Sequence, residues 1–108
     1  MQNNDSDIIL AVENDLVLGF IHIRKVRTPP FDSIVPHNYA EIIDFIVTAE
    51  HRKSGIGSML MEAAKQWTKI RNLDYIELFV LSNAKDEYCF YQYKGFVTVS
   101  HTMRCSSL

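Results

Sequence analysis

The segment Asp7-Ile8-Ile9-Leu10-Ala11-Val12-Glu13 is a short apolar run rich in strand formers, and Asn14-Asp15 behind it is a turn signal. Leu16 to Arg24 is a second such run, alternating toward its end, so the two read as an antiparallel hairpin. Arg27 to Asn38 is a loop, with Pro29, Pro30 and Pro36 keeping it out of any ladder. Tyr39 to Thr48 is a strongly apolar strand; Ile42, Ile43, Phe45, Ile46 and Val47 on both faces predict a central strand covered on each side. Asp44 interrupts it, and a carboxylate buried there would cost several kcal/mol unless paired or protonated.

Ala49 to Ser54 is a polar turn. From Gly55 the period becomes helical, with Ile56, Leu60, Ala63, Ala64, Trp67 and Ile70 on one stripe. Tyr75 to Leu81 is again apolar and reads as a strand. Ser82-Asn83 offers an N-cap for a helix over Ala84 to Tyr93, with Gly95 as its stop. Phe96 to Arg104 alternates at period two and predicts a last strand. The strand-helix-strand unit in the middle demands a parallel pair. The expected fold is α/β (or α+β), one domain over residues 1–108, with a mixed, mostly antiparallel sheet of about five strands and two main helices.

Composition narrows the function classes. Hydrophobic residues at 47% and charged residues at 22% describe an ordinary globular domain. No apolar run reaches the roughly 18–20 residues of a membrane helix, and the polar, acidic start has no leader pattern. A net charge of −2 lacks the basic excess of a nucleic-acid binder. Cys89 and Cys105 have no metal or redox spacing and read as reduced thiols of a cytoplasmic protein. His22, His37, His51 and His101 show no ligand spacing, so no metal site is expected.

The segment that carries chemistry is Arg52-Lys53-Ser54-Gly55-Ile56-Gly57, between an apolar strand and an amphipathic helix. Glycines there let backbone approach a ligand, and the free N–H groups of the helix start favour phosphate. Taken alone, the pattern is a weak signal and reads first as a tight strand-to-helix turn. It is neither a Walker loop nor a dinucleotide fingerprint, since Leu60 stands where the latter needs its third glycine.

In its full context, Asp44 to Leu60, the segment resembles motif A of the GNAT superfamily of N-acetyltransferases. Tyr75 to Leu81 is similar to that family's next strand, and Phe90-Tyr91-Gln92-Tyr93-Lys94-Gly95-Phe96 to its F-Y-x-x-x-G-F ending. Where the family commonly has Asn, this chain has Ala84, with Asn83 one residue earlier; Glu87 stands where a small apolar residue is usual. The hairpin begins within about ten residues of the start, which makes this a short or N-terminally truncated member by comparison with the family pattern.

The resemblance implies acetyl-CoA as cosubstrate, a primary amine as acceptor, and a central parallel pair that splays. Arg52, Lys53, Ser54, Gly55, Ile56, Gly57 and Ser58 would cradle the pyrophosphate. Backbone groups of Phe45, Ile46 and Val47 would pair with the pantetheine arm, one N–H polarising the thioester carbonyl. Asn83 is a further cofactor candidate. Tyr91 would protonate the leaving thiolate, although its spacing also fits a core aromatic. In some members a Glu at the position of Glu41 serves as base, and Asp44 stands where an acidic residue near the acceptor is frequent; both equally suit rim carboxylates. Strict alternation puts these two on opposite faces, so they form a pair only if a bulge intervenes. Two other readings stay open: an acyl-CoA-binding module without catalysis, and a fragment completed by a partner. The apolar first strand, with no strand before it, predicts an exposed sheet edge and a homodimer.

Overall fold

The computed structural model describes residues 5–28, 35–52, 54–81 and 83–107. Lys53, the capping candidate Ser82 and the prolines Pro29 and Pro30 lie outside them. Two compact units form, Met1–Leu78 and Phe79–Leu108.

In the first unit, β1 (Ser6–Glu13), β2 (Leu16–Arg27), β3 (Asn38–Val47) and β4 (Ile76–Glu77) make one sheet in the order β1-β2-β3-β4. The β1–β2 hairpin turns through Asn14 and Asp15, both at positive φ, which these short polar side chains tolerate. β2 and β3 are antiparallel and β3 and β4 parallel. α1 (Ile56–Ile70) supplies the crossover and lies against β1, β2 and β3. The core is the seam between them: Leu18, Ile21, Ile23, Ala40 and Ile42 from the sheet, Leu60, Met61, Ala64 and Trp67 from the helix. The buried stripe of α1 is rotated from the predicted one. Met61 and Thr68 are inside and Ile70 is 69% exposed; the buried Thr68 hydroxyl is satisfied on the Ala64 carbonyl at 2.8 Å.

β1 is docked onto α1 by Asp7. Its Oδ2 accepts from the Trp67 indole at 2.6 Å and from Arg71 at 3.1 Å, and the Arg71 guanidinium stacks 3.9 Å over the indole. This polar tie holds an edge strand whose outward residues Ile8, Leu10 and Val12 are exposed.

Three expectations change. β3 is central in the strand order, but one of its faces is open: Ile43, Asp44 and Ile46 are exposed, so the Asp44 carboxylate bears no burial penalty. The strand predicted at Tyr75–Leu81 contributes only two residues, and its ladder ends at the rung Glu41↔Glu77 while β3 runs on to Val47. The ladder thus pairs only the first part of β3 with β4. Phe96–Arg104 joins no sheet, so four strands replace about five. Alternation describes a residue pattern, but a strand needs a ladder partner, and none meets this segment among the described residues.

The second unit holds α2 (Lys85–Tyr93). Ala84, not Asn83, sits at its N-cap, without a side-chain capping bond. Its C-terminus is a Schellman motif. The Phe96 N–H donates to the Tyr91 carbonyl and the Gly95 N–H to the Gln92 carbonyl, each at 3.0 Å, with Gly95 at φ +97°. The rings of Tyr91 and Phe96 meet edge to face at 5.7 Å. The Y-x-x-x-G-F spacing is therefore set by helix termination: Tyr91 three residues from the helix end, a left-handed glycine, then the apolar partner.

Candidate active site

β3 ends at Val47 and the chain turns through a short 3-10 helix, Ala49–His51, into α1. Internal bonds shape this loop. The His51 N–H donates to the Thr48 carbonyl at 2.9 Å, and Thr48 Oγ1 bonds His51 Nδ1 at 2.9 Å. The Ser54 hydroxyl donates to the His51 carbonyl, so it does not cap the helix. Arg52 donates from Nε to the Val47 carbonyl at 3.2 Å, which fastens its guanidinium beside the strand end.

Gly55 enters α1 at φ +91°, a conformation an L side chain resists, and a Cβ there would meet nothing within 4 Å. The first bond into the helix is Met59 N–H to the Gly55 carbonyl at 3.0 Å. The amides of Ile56, Gly57 and Ser58 ahead of it have no helical acceptor. Most helices satisfy such amides with a capping Ser, Thr or Asp and place acids in the first turn. α1 has no side-chain cap and no first-turn acid. The result is an electropositive cradle of donors with open space before it, which suits a phosphate group.

Across the sheet, β3 carries a bulge. Ile42 pairs with Ile23 and Asp44 with His22, leaving Ile43 as the extra residue. The bulge reverses the alternation, so Glu41 and Asp44 share the face opposite α1, the alternative that strict alternation excluded. Arg24 donates from Nε and Nη2 to Glu41 Oε1, at 2.7 and 2.6 Å. Asp44 lies 4.0 Å from His22 Nδ1. β2 and β3 also approach closely at Gly19, where a Cβ would fall 2.7 Å from the Ile46 carbonyl oxygen. Thus Phe45, Ile46 and Val47 lie on the stretch of β3 beyond its last rung to β4 and lead into the loop.

In the second unit, burial pushes the Tyr91 phenol above its ordinary pKa, and the charge of Glu87 adds to this. The phenol therefore keeps its proton throughout the neutral range. Asn83 is exposed in the turn before α2.

Several residues were not legible beforehand. Gly19 gives no local signal, since its need is a close approach and not a turn. Arg24 matters through the β2–β3 register. Tyr39, Tyr75 and Glu77 gather where β4 meets β3: the two tyrosine rings stack at 5.0 Å, and His37 Nε2 bonds the Tyr75 hydroxyl at 2.7 Å. Among the described residues no group of three or more His, Cys, Asp or Glu could hold a metal ion, and no helix is long and apolar enough to cross a membrane.

Known proteins extend this picture. A point mutant of the BH1408 protein from Bacillus halodurans superposes with a TM-score of 0.93 at 26% identity, covering 99% of this chain and 69% of that one. The aminoglycoside 6'-N-acetyltransferase AAC(6')-IG from Acinetobacter haemolyticus shares the fold, with a TM-score of 0.77, 15% identity and coverage of 98% and 72%. So does AAC(6')-Iy, solved with the bisubstrate analogue CoA-S-monomethyl-acetylneamine, with a TM-score of 0.75, 14% identity and coverage of 95% and 72%. No curated protein sequence matches the chain. The model of the acetyltransferase (GNAT) family matches residues 1–96, and with the strand, glycine turn and uncapped helix inside that span, the chain belongs to this family.

Proposed function

We propose that the chain is an N-acetyltransferase moving an acetyl group from acetyl-CoA to a primary amine by direct attack within a ternary complex. The observation that carries this reading is the start of α1, a glycine-turned helix end without cap or acid beside a strand that outruns its partner. Bound acetyl-CoA would supply an activated thioester. The amides of Gly55, Ile56, Gly57 and Ser58 would bind its pyrophosphate, with Ser54 shaping the loop and Arg52 and Lys53 adding charge. Backbone groups of Phe45, Ile46 and Val47 would hold the pantetheine arm, and one N–H there would polarise the thioester carbonyl. Asn83 is a further contact in this reading.

The amine nitrogen forms a bond to the acetyl carbon as the carbon–sulfur bond breaks. The amine gives up one proton to the Glu41–Asp44 pair, and Tyr91 donates its phenolic proton to the departing thiolate. Acid and base are then separate groups, and the raised pKa of Tyr91 keeps it ready to donate. We place both units in one acetyltransferase domain of a cytoplasmic protein, dimeric through the β1 edge.

A panel of amines incubated with acetyl-CoA tests this, with release of free thiol as the signal. Thiol release that requires an amine supports transfer. A folded protein that releases none with any amine, and whose melting temperature acetyl-CoA leaves unchanged, refutes it.

A further inference from the structure

The rung at which β3 and β4 part is unusual in charge. Glu41 and Glu77 are register partners across adjacent parallel strands, and neighbouring strands lie about 4.8 Å apart. Partners in register share a face, and like charges facing each other destabilise a sheet. Arg24 answers Glu41 alone. Asp44, brought to this face by the bulge, adds a third carboxylate. Among the described residues Arg24 pairs with Glu41 and His22 stands 4.0 Å from Asp44, while no cation is paired with Glu77, so this corner carries an excess of negative charge.

Two residues back along both strands, Tyr39 and Tyr75 stack nearly parallel, 13° between planes. Their attachment leaves ring surface on offer. His37 Nδ1 lies 3.0 Å from the Val35 carbonyl, which only accepts, so in the neutral ring Nδ1 donates and Nε2 accepts from the Tyr75 hydroxyl. The Tyr75 hydroxyl is thus occupied, while the residue is 41% exposed. A tyrosine ring of this kind attracts cations over its face. The charges of Glu77 and Glu41 reach the pair, since both raise the Tyr39 pKa after the larger effect of burial.

We propose that this corner of the open face, Glu77 with the Tyr39–Tyr75 stack, receives a second ammonium group of the acceptor, so that the acceptor is an aliphatic di- or triamine. This rests on the amine-transfer reading. Glu77 is a binding residue in it: it fixes one cationic end while the reacting amine lies toward Asp44, beyond the last rung of the β3–β4 ladder. Two positive charges a few bonds apart match the carboxylates of Glu77 and Asp44 on this face. A single amine satisfies one of them.

The test compares diaminobutane with butylamine, the same carbon chain with one charge fewer, by calorimetric titration of the full chain. The wild type binds diaminobutane more tightly. Glu77→Gln weakens diaminobutane by about tenfold, the scale of a lost charged hydrogen bond, and leaves butylamine nearly unchanged. The same variant melts no lower than wild type, because it removes a like-charge rung. Tyr75→Leu also weakens diaminobutane. In steady state, Glu77→Gln raises KM for diaminobutane while kcat and the KM for acetyl-CoA move by less than about twofold, as loss of uniform binding requires. Equal affinity for the two amines, or diaminobutane affinity untouched by Glu77→Gln, overturns the proposal. Acetyl transfer that ignores the second charge overturns it too and leaves the transferase reading standing. Diaminobutane binding that follows these variants with no thiol release from any amine supports this site and removes the transferase reading.

Discussion

Gly19→Ala probes a close approach between β2 and β3. A Cβ at Gly19 would sit 2.7 Å from the Ile46 carbonyl oxygen, 3.1 Å from Leu60 Cδ1 and 3.2 Å from Val47 Cα. Two of these three atoms are backbone, and Leu60 is a buried core residue, so no flexible side chain can yield. Burying one methyl gains about 0.8 kcal/mol, and loss of freedom in the unfolded chain gains roughly 0.4–1 kcal/mol more. Opposing them, overpacking of a close-packed site costs about 1–3 kcal/mol, and a backbone contact under 3 Å belongs at the upper end. The expected net loss is about 1–2 kcal/mol, or a fall in Tm of roughly 4–8 °C per kcal/mol for a domain of this size. Urea unfolding followed by far-ultraviolet circular dichroism measures it. Relief requires Ile46 and Val47 to move, so acetyl-CoA affinity falls with stability. Gly55→Ala is the contrast: no atom lies within 4 Å of its Cβ, and the loss is the strain of positive φ alone, about 1–2 kcal/mol. Gly19→Ala as stable as wild type, with unchanged acetyl-CoA affinity, would refute the close-approach argument.

Tyr91→Phe lowers turnover about 10²-fold and leaves acetyl-CoA affinity nearly intact, measured by steady-state kinetics and titration. Because burial and then Glu87 raise the Tyr91 pKa in the folded state, the stability it contributes is present below pH of about 10 and is lost as pH rises through the folded value; Glu87→Gln brings that loss to lower pH, read by tyrosinate absorbance. Gly57→Asp puts a carboxylate among the helix-start donors and abolishes the rise in Tm that acetyl-CoA produces in the wild type. Asp7→Ala leaves the Trp67 indole N–H, 7% exposed as a residue, without its acceptor and destabilises by about 1–3 kcal/mol in chemical denaturation. Light scattering checks the β1 edge: a mass of two chains at micromolar concentration is expected, and Lys substitution at Leu10 returns it to one.

Local chemistry determined a good part of this protein from the sequence alone. Asn14-Asp15 tolerates positive φ, so the hairpin turn was legible. Gly55 and Gly95 punctuate helices where residues with a Cβ resist the conformation, so the start of α1 and the end of α2 were legible as well. These signals act within a few residues, and a strand, a crossover helix and a second strand restrict topology to a parallel pair. What the pattern could not decide depends on partners distant in sequence. The bulge at Ile43 arises from the register of β3 against β2, and it alone joins Glu41 to Asp44 on one face. The ladder of β4 ends after two rungs, although the apolar run continues to Leu81, because a strand exists only where a neighbour accepts its hydrogen bonds. Phe96–Arg104 has the alternation of a strand and no such neighbour among the described residues. Gly19 reveals its purpose only when Ile46 stands 2.7 Å from the Cβ it lacks. Likewise Glu77, Tyr39 and Tyr75 are ordinary strand residues until the parallel rung sets them beside Glu41, because charge and ring contacts depend on distance in space, which tertiary pairing creates.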